Sequence, residues 1–454
     1  MVSRDKNANE NGKGQGHIDL EATETYIRDS MHQIGSIMLE ELLNSDNGGF
    51  QGKTLPCKKS PRGPRGHKYK FKEFRDKDLL TVLGPVKVKR AYYYDKHCKE
   101  GYCPKDVALD IMETSFSPGM RRIMGRVGAL RPFGLGHEDI KEMAGIEVNS
   151  KEIERVSYQL GTEVEKYFNY NYKNGAALPL SAPSAPSTNN NNIIKWKPIQ
   201  KMYICMDGTG VPAVKKEIKD RRGKHEDGLA KTRESKLGCV FTQTTVDEKG
   251  LPVRDEGSTT YVGYIETAED FGDRIYAEAL SRGLESAQKV CVIGDGAAWI
   301  WNIADFHFKG AIQIIDLYHA REHYWNVAKE IFSDKNTIKE WTEQRRKELD
   351  LGEVEKVIAA IKQISATTEE ENEIVEREIN YFEKNKERMR YKDFKNQGLF
   401  IGSGVIEAGC RTVIGLRLKQ SGMHWTVSAA NNIIALRCCI LSNRWEDFWE
   451  YRAS

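Results

Sequence analysis

Acidic residues follow three short apolar runs beyond residue 200. The runs at 202–206, 290–293 and 312–315 lead to Asp207, Asp295 and Asp316. Short apolar runs that end at turn residues are typical of strands buried on both faces, and ligands gather at the carboxyl ends of such strands. The glycines on either side of Asp295 let backbone or ligand atoms approach closely. A simple strand-ending turn is the alternative, since Asp-Gly is a common turn dipeptide.

A fourth acidic residue, Glu407, lies near the start of a predicted helix with Ser403 as its N-cap. If Asp207, Asp295 and Glu407 converge to within about 4 Å, they repel each other by roughly 4 kcal/mol per pair at an effective dielectric constant near 20. Such a cluster therefore requires cations, and hard oxygen ligands select Mg²⁺ or Mn²⁺. Two such ions roughly 3.5–4 Å apart activate a water or a 3′-hydroxyl and stabilise the leaving oxygen of a phosphodiester.

The length and composition predict a soluble multidomain protein. A chain of 454 residues is expected to form about three domains, and 39% hydrophobic with 30% charged residues is typical of globular proteins. No apolar run has the length of a membrane helix, and the first residues lack the apolar core of a signal peptide. Nine cysteines at irregular spacings indicate reduced thiols. We therefore expect a cytoplasmic protein with no membrane partner.

The net charge of +3 conceals an uneven distribution of charge. Residues 53–105 contain 16 Lys and Arg against 5 Asp and Glu, whereas residues 329–383 contain 9 against 15. A concentrated basic block in a nearly neutral protein favours binding to the phosphates of DNA. The alternative is a basic surface that only contacts solvent.

The basic block also contains residues that could bind zinc. Residues 79–88 predict a hairpin with its turn at Gly84-Pro85. Cys57, Cys98 and Cys103 lie around this hairpin, with His67 and His97 nearby, but a zinc ribbon needs two close Cys pairs and neither is intact. Zinc is therefore doubtful, and a ribbon-like fold without metal is favoured.

Helices are predicted on both sides of this block. Apolar residues at helical spacing in residues 24–44 predict a helix with one buried face. Residues 117–168 predict a helix ending near Gly145, a turn, and a second helix capped by Asn149. This outline is that of a helix-turn-helix, although an ordinary helical hairpin has the same pattern. The Pro-, Ser- and Asn-rich residues 174–192 predict a linker.

Four long motifs closely resemble the ISKra-type family of bacterial insertion-sequence transposases. The resemblance extends from LLTVLGPVKVKRAYYY to RWEDFW near the end of the chain. Its most specific segments are KTRESKLGCVFTQTT, GDGAAWIWNIADFHF, IQIIDLYHAREHYW and GSGVIEAGCRTVIGLRLKQSGMHW. The resemblance implies an RNase H-like DDE recombinase with a helical insertion between its second Asp and its Glu.

The resemblance also implies roles for individual residues. Asp207 in MDGTGVP, Asp295 in GDGAAW and Glu407 in GVIEAG would form the metal-binding catalytic triad. Asp316 and His319 in DLYH resemble a D-x-x-H element of related DDE enzymes and are expected near the active site.

Several residues near Glu407 are suited to contact DNA. Arg411, Arg417 and Lys419 are expected on phosphates, and Trp425 is expected to stack on an exposed base. A Trp at this spacing is also typical of a core position.

The predicted fold class is multidomain α/β, with an RNase H-like mixed-sheet catalytic domain that carries a helical insertion. A ribbon-like β segment and a helical, helix-turn-helix-like DNA-binding region precede it. The predicted divisions are a disordered start and helix (1–50), the basic ribbon-like domain (51–112), the helical region (113–172), the linker (173–195), the catalytic domain (196–325 and 397–454) and the insertion (326–396).

The predicted function is that of a DDE transposase of a bacterial insertion sequence. It would bind the terminal inverted repeats and target DNA, cleave and transfer strands with Mg²⁺ or Mn²⁺, and associate with the nucleoid as a homo-oligomer. One alternative is a DNA-binding protein that has lost catalysis. Another is a zinc peptidase, because His319, Glu322 and His323 match the H-x-x-E-H signature.

Overall fold

The computed structural model describes residues 19–57, 59, 66–173, 187–188, 194–195, 199–223 and 228–453. The chain divides into two compact units, residues 1–157 and residues 158–454. The predicted disordered start and most of the predicted linker lie outside the described residues.

The first unit contains a four-stranded antiparallel sheet. Its strands pair in the order β1-β2-β3-β4. They span Thr54–Pro56 (β1), Lys68–Thr81 (β2), Gly84–Asp95 (β3) and Glu100–Tyr102 (β4).

The central hairpin of this sheet agrees with the predicted hairpin, but its turn lies earlier. Thr81 pairs with Gly84, so the turn residues are Val82 and Leu83 rather than Gly84-Pro85. Gly84 has a φ of +110°, which an L-residue rarely adopts, and the Thr81 hydroxyl donates to its carbonyl. Glycine therefore allows the second strand to begin directly after a two-residue turn.

Among the described residues, helices α1 to α4 lie in the first unit, and α5 begins there. They span Leu20–Asn44 (α1), Pro104–Ala108 (α2), Pro118–Leu130 (α3), Phe133–Ala144 (α4) and Ser150–Lys173 (α5).

Helix α1 forms where it was predicted, but the predicted buried face is exposed. Ile27, Met31, Ile34, Met38 and Leu42 are 52–70% exposed to solvent in the described part of the chain. The opposite side of α1 packs instead, because Leu39 and Leu43 contact the apolar cluster of β2 and β3. Helical spacing identifies an apolar stripe, but it does not decide which of two stripes meets the core.

The predicted boundary between α4 and α5 is confirmed. Gly145 ends α4 with a φ of +64°, and the Asn149 side chain accepts a hydrogen bond from the Lys151 N–H at 2.8 Å. The predicted inner face of α5, including Ile153 and Val156, is buried. The binding of DNA by α4 and α5 stays a prediction.

The second unit is built on a mixed five-stranded sheet with the order β11-β8-β7-β12-β13. β7 pairs with β8 and β8 with β11 in antiparallel fashion, whereas β12 runs parallel to both β7 and β13. This mixed α/β architecture is compatible with the predicted RNase H-like fold. Two short pairs, β5 with β6 and β9 with β10, lie outside this sheet. The strands from β5 onward span Ser187–Thr188 (β5), Ile194–Lys195 (β6), Ile199–Pro212 (β7), Thr232–Gln243 (β8), Thr245–Val246 (β9), Pro252–Val253 (β10), Thr260–Tyr264 (β11), Ala287–Gly294 (β12) and Ile312–Ile315 (β13).

Helices follow the strands of this sheet, and a helical segment occupies the region of the predicted insertion. They span Lys215–Ile218 (α6), Ala268–Ser281 (α7), Ala298–His307 (α8), Leu317–Ile331 (α9), Lys335–Asp350 (α10), Val354–Lys362 (α11), Glu369–Asn385 (α12), Tyr391–Asn396 (α13), Gly404–Gly409 (α14), Leu416–Leu418 (α15), Val427–Leu441 (α16) and Trp445–Ala453 (α17). A π-helical turn, Cys410–Gly415, joins α14 to α15. Within the described residues, every helix is too short or too polar to span a lipid bilayer.

A candidate active site where parallel strand pairing ends

Strand register brings three aspartates to the same level of the sheet. The last pair between β7 and β12 is Cys205 with Ile293, and both Asp207 and Asp295 lie two residues further along. The last pair between β12 and β13 is Gly294 with Ile315, so Asp295 and Asp316 each follow by one residue. The three aspartates therefore lie just beyond the point where the parallel pairing of β7, β12 and β13 ends.

The local placement of Asp207 differs from its prediction as a strand-ending residue. β7 continues to Pro212, because its pairing with β8 includes Asp207 opposite Leu237 and extends five residues further. Only the pairing on the β12 side stops before Asp207. Asp207 thus lies within a continuous strand, half-buried and fixed by the neighbouring β8.

Asp316 is the most deeply buried of these carboxylates. Its side chain has no exposed surface and caps α9, where it accepts hydrogen bonds from the His319 N–H at 2.7 Å and from the His319 ring at 3.1 Å. Its other oxygen accepts a hydrogen bond from the Ser403 N–H. Burial raises the pKa of Asp316, but the His319 and Ser403 hydrogen bonds outweigh burial and hold the pKa below its usual value. Asp316 is therefore ionised and joins the start of α9 to the segment that leads to Glu407.

His319 is the cation of this cluster. Its hydrogen bond to Asp316 raises its pKa to about 9, although burial opposes this shift. The negative charges of Glu322 and Asp295 also raise the pKa of His319. At neutral pH His319 is therefore protonated, and it offsets part of the negative charge around it.

Glu407 is exposed in the first turns of α14 and lies beside Asp316 and His319. The ligand atoms of these three side chains are all within 4.8 Å of one another, as metal binding requires. The Ser403 hydroxyl donates to Glu407 Oε1 at 2.7 Å. Ser403 occupies the predicted N-cap position, but its side chain makes no capping hydrogen bond because it is used to orient Glu407.

Asp207 interacts electrostatically with the other members of the site. Burial raises its pKa, hydrogen bonds from the Cys410 thiol and the Gly208 N–H lower it, Asp295 raises it and His319 lowers it, with a net upward shift. Cys410 begins the π-helical turn that follows α14, and such turns are frequent at functional sites. Burial and the negative charge of Asp295 therefore disfavour the ionised form of Asp207.

The predicted insertion positions the turn that contains Asp295. The Tyr381 hydroxyl of α12 donates to the Asp295 carbonyl at 3.1 Å. Gly296 has a φ of +108°, and a Cβ at this residue would lie 2.6 Å from the Tyr381 ring. The Asp295 side chain accepts a hydrogen bond from the Ala297 N–H at 2.9 Å. Glycine at position 296 thus permits Tyr381 to pack on this turn.

The structure brings the sequence-predicted residues together in part. Among the described residues, one close group contains Glu407 with Asp316 and His319, the two residues expected near the active site. Asp207 and Asp295 belong to neither of the two close metal-ligand groups found in that part of the chain. The catalytic roles of Asp207, Asp295 and Glu407 stay predictions.

Two of the four residues expected to contact DNA are exposed. Arg411 is exposed on the π-helical turn, and Lys419 is exposed with its ammonium 2.5 Å from the Thr209 hydroxyl, two residues beyond Asp207. Arg417 has no exposed surface, and Trp425 is 6% exposed with its ring N–H donating to the Leu418 carbonyl. These two form a buried cation–π pair, with the guanidinium 5.1 Å from the ring centroid. Burial excludes both from direct contact with DNA in this conformation.

His323, the second histidine of the H-x-x-E-H sequence, does not share the environment of His319. His323 Nδ1 lies 2.5 Å from Glu378 Oε2, and its ring stacks on Tyr381 with centroids 3.5 Å apart. In the described residues, neither close metal-ligand group pairs His319 with His323. This geometry does not support the zinc peptidase.

The three cysteines considered for zinc separate into two environments. Cys57 and Cys98 belong to the other close metal-ligand group, together with His67 and Asp95. Cys103 is not a member of that group in the described residues. All nine cysteines are free thiols, as predicted.

No protein-family model matches this chain, and no curated protein matches it in sequence. Among solved structures, the chain is similar to the Drosophila P element transposase strand transfer complex. The identity is 8%, the match covers 77% of this chain and 84% of that chain, and the TM-score is 0.25.

Proposed function

We propose that this chain is a DDE transposase of a bacterial insertion sequence. It binds the terminal inverted repeats of its element and performs metal-dependent strand cleavage and strand transfer. The observation that supports the proposal most is the strand register that aligns Asp207 and Asp295 on neighbouring parallel strands. The motif resemblance supports the assignment of these two residues and Glu407 as the catalytic triad.

The donor atoms of this site fit a hard divalent cation. Asp207, Asp295 and Glu407 offer carboxylate oxygens, which Mg²⁺ and Mn²⁺ prefer. The negative charge of Asp295 contributes to the raised pKa of Asp207, so a cation at this edge would relieve an existing repulsion. When bound, such ions supply an activated water or 3′-hydroxyl and stabilise the leaving oxygen of a phosphodiester.

The remaining residues position and balance this site. Asp316 fixes the start of α9 and the segment before Glu407, and protonated His319 supplies a positive charge beside the carboxylates. Tyr381 holds the Asp295 turn from the insertion. Lys419 and Arg411 are exposed cations suited to contact DNA phosphates.

Binding to double-stranded DNA is proposed from the charge of the N-terminal half. The excess of Lys and Arg in residues 53–105 is suited to phosphates, and α4 with α5 is proposed as a helix-turn-helix. A homo-oligomer is proposed because two ends of one element must be brought together.

The direct test is strand cleavage of DNA that carries the sequence flanking this gene, with Mg²⁺ or Mn²⁺. Wild type should nick specifically at the element ends, and Asp207→Asn, Asp295→Asn or Glu407→Gln should each abolish nicking while DNA binding survives. Asp273→Asn is a matched control, because Asp273 is an exposed carboxylate of the same unit. Cleavage that persists in one triad variant would remove that residue from the triad. Binding without cleavage in wild type would favour a DNA-binding protein that has lost catalysis.

A second measurement separates metal binding from activity. Calorimetric titration with Mn²⁺ should show weaker binding for Asp207→Asn, Asp295→Asn and Glu407→Gln than for wild type and Asp273→Asn. Unchanged Mn²⁺ affinity in Asp207→Asn and Asp295→Asn, combined with a loss in Asp316→Asn, would move the metal site to the group of Asp316, His319 and Glu407.

A further inference from the structure

The geometry points to a structural zinc site in the first unit, formed by Cys57, His67, Asp95 and Cys98. This site is independent of the proposed catalytic centre, and its ligands are not those that cysteine spacing indicates. Cys57 follows β1, His67 precedes β2, Asp95 ends β3, and Cys98 lies in the turn between β3 and β4. The sheet therefore brings two separate segments of the chain to one point.

The distances in this group agree with tetrahedral coordination. One ligand atom from each of the four residues lies within 4.8 Å of the others. The two sulfur atoms are 3.7 Å apart. Two thiolates on one tetrahedral zinc, at Zn–S distances of about 2.3 Å, must lie roughly 3.8 Å apart. A disulfide requires about 2.05 Å, so the observed separation fits a shared ion better than a covalent bond.

The histidine and the carboxylate complete the ligand set. The ring nitrogens of His67 lie 3.8 Å from Cys98 Sγ, and His67 Nδ1 is hydrogen-bonded to Asp95. Asp95 also accepts a hydrogen bond from the His97 N–H at 2.8 Å, which holds the turn that carries Cys98. Two sulfurs, one nitrogen and one oxygen match the donors that zinc takes in proteins.

Burial distinguishes this group from a set of surface residues. Asp95 has no exposed surface and Cys57 is 5% exposed. Buried carboxylates in proteins are paired, hydrogen-bonded or bound to a metal, and Asp95 lies beside His67 and the two cysteines. The adjoining apolar cluster is small: among the described residues its buried members are Leu55, Cys57, Tyr69, Ala91 and Tyr93. A metal that joins both ends of the sheet would stabilise a core of this size.

The ligand set escapes a search for cysteine pairs because two positions are not cysteine. Asp95 and Cys98 form an Asp-x-x-Cys segment, and Cys57 is separated from His67 by nine residues. Cys103 is the N-cap residue before α2 and lies outside the group, so it is not a ligand.

The test is the zinc content of the purified full chain, measured by inductively coupled plasma mass spectrometry. Wild type should carry one zinc per chain. Cys57→Ser and Cys98→Ser should lose it, whereas Cys103→Ser should retain it as a matched control. Asp95→Asn should weaken zinc affinity relative to wild type and Cys103→Ser, because it removes the oxygen ligand.

Cobalt substitution gives a readout that misfolding cannot imitate. Co²⁺ added to the metal-free chain should produce thiolate-to-cobalt charge-transfer absorption with the intensity of two thiolates. His67→Cys should increase this absorption by about half, because a third thiolate joins the same ion. Mn²⁺ binding and DNA cleavage by the second unit are measured in parallel, so failure of the zinc site is distinguishable from failure of the proposed function.

Three outcomes would overturn the inference. The first is wild-type protein without zinc that gives no cobalt absorption. The second is loss of zinc in Cys103→Ser with retention in Cys57→Ser. The third is a disulfide between Cys57 and Cys98 in wild-type protein purified with zinc in every buffer, which would assign the pair to redox chemistry instead.

Discussion

Replacement of Asp316 by Asn tests how the candidate site is held together. Asp316 is fully buried and accepts hydrogen bonds at both oxygens, from the Ser403 N–H and from the N–H and ring of His319. An Asn side chain has one accepting oxygen, so its NH₂ group must face a donor that Asp316 now satisfies. Hydrogen bonds to charged groups contribute about 1.5–3 kcal/mol each. We expect Asp316→Asn to reduce the free energy of unfolding by about 3–5 kcal/mol at pH 7.

Part of this loss comes from the ion pair with His319 and depends on pH. The pKa of His319 is raised from 6.5 to about 9 in the folded chain. Its side chain is 36% exposed, so solvent screening reduces the contribution of the pair to about 1–2 kcal/mol. Because the folded pKa is the higher one, this stability is fully present below about pH 6.5 and is lost as pH rises through about 9.

The assay is urea unfolding followed by tryptophan fluorescence, in the presence of a chelator. All eight tryptophans lie in the second unit, so their fluorescence follows the unit that contains Asp316. A double-mutant cycle with His319→Gln should give a coupling of about 1–2 kcal/mol at pH 7 and close to zero at pH 10. A coupling of equal size at both pH values would refute the assignment of His319 as the cation of the site.

Three further changes test the packing of the fold. Arg444→Met should lower the free energy of unfolding, measured with urea at pH 7, by about 3–5 kcal/mol. The reason is that Glu278 stays buried without the Arg444 guanidinium, which donates to it at 2.7 and 2.8 Å. Arg444→Lys should recover part of this loss. Gly161→Ala should lower the free energy of unfolding by about 1–3 kcal/mol, since its Cβ would lie 2.4 Å from the Asn432 carbonyl oxygen, and a normal melting temperature would contradict that contact. Asn149→Ala should lower the free energy of unfolding by about 1 kcal/mol, measured by thermal unfolding followed by circular dichroism, and Asn149→Ser should restore most of this loss. Equal stability of wild type and both variants would show that the Asn149 cap does not stabilise α5.

The pH dependence of Glu278 follows from the same buried pair. Burial raises the pKa of Glu278, but the charge and hydrogen bonds of Arg444 outweigh burial and lower it overall. A lowered folded pKa contributes stability above the unfolded value of 4.5, and this stability is lost as pH falls. Acid unfolding of Arg444→Met should therefore show a smaller loss of stability on acidification than wild type.

Local features of the chain were predictable from the sequence. The caps at Gly145 and Asn149 and the buried runs before Asp295 and Asp316 depend on interactions within a few residues, which the local order of residue types determines. The long motifs identified the acidic residues as candidates for the site.

Contacts between distant segments were decided only by the tertiary structure. Sequence spacing did not show that α1 exposes Met31 and its neighbours, nor that Arg417 and Trp425 pair inside the core. Both patterns are compatible with a buried or an exposed position, because burial depends on what the rest of the chain packs against them.

The two metal-ligand groups show this division most clearly. Asp316 and Glu407 are 91 positions apart, and Cys57 and Cys98 are separated by 41. Residue type made each of these a candidate ligand, because carboxylates and thiolates bind cations wherever they occur. The tertiary structure brings Asp316, His319 and Glu407 together in one group. In the other group it places His67 and Asp95, rather than Cys103, beside Cys57 and Cys98. The sequence determined which chemistry was available, and the pairing of distant strands determined which residues share it.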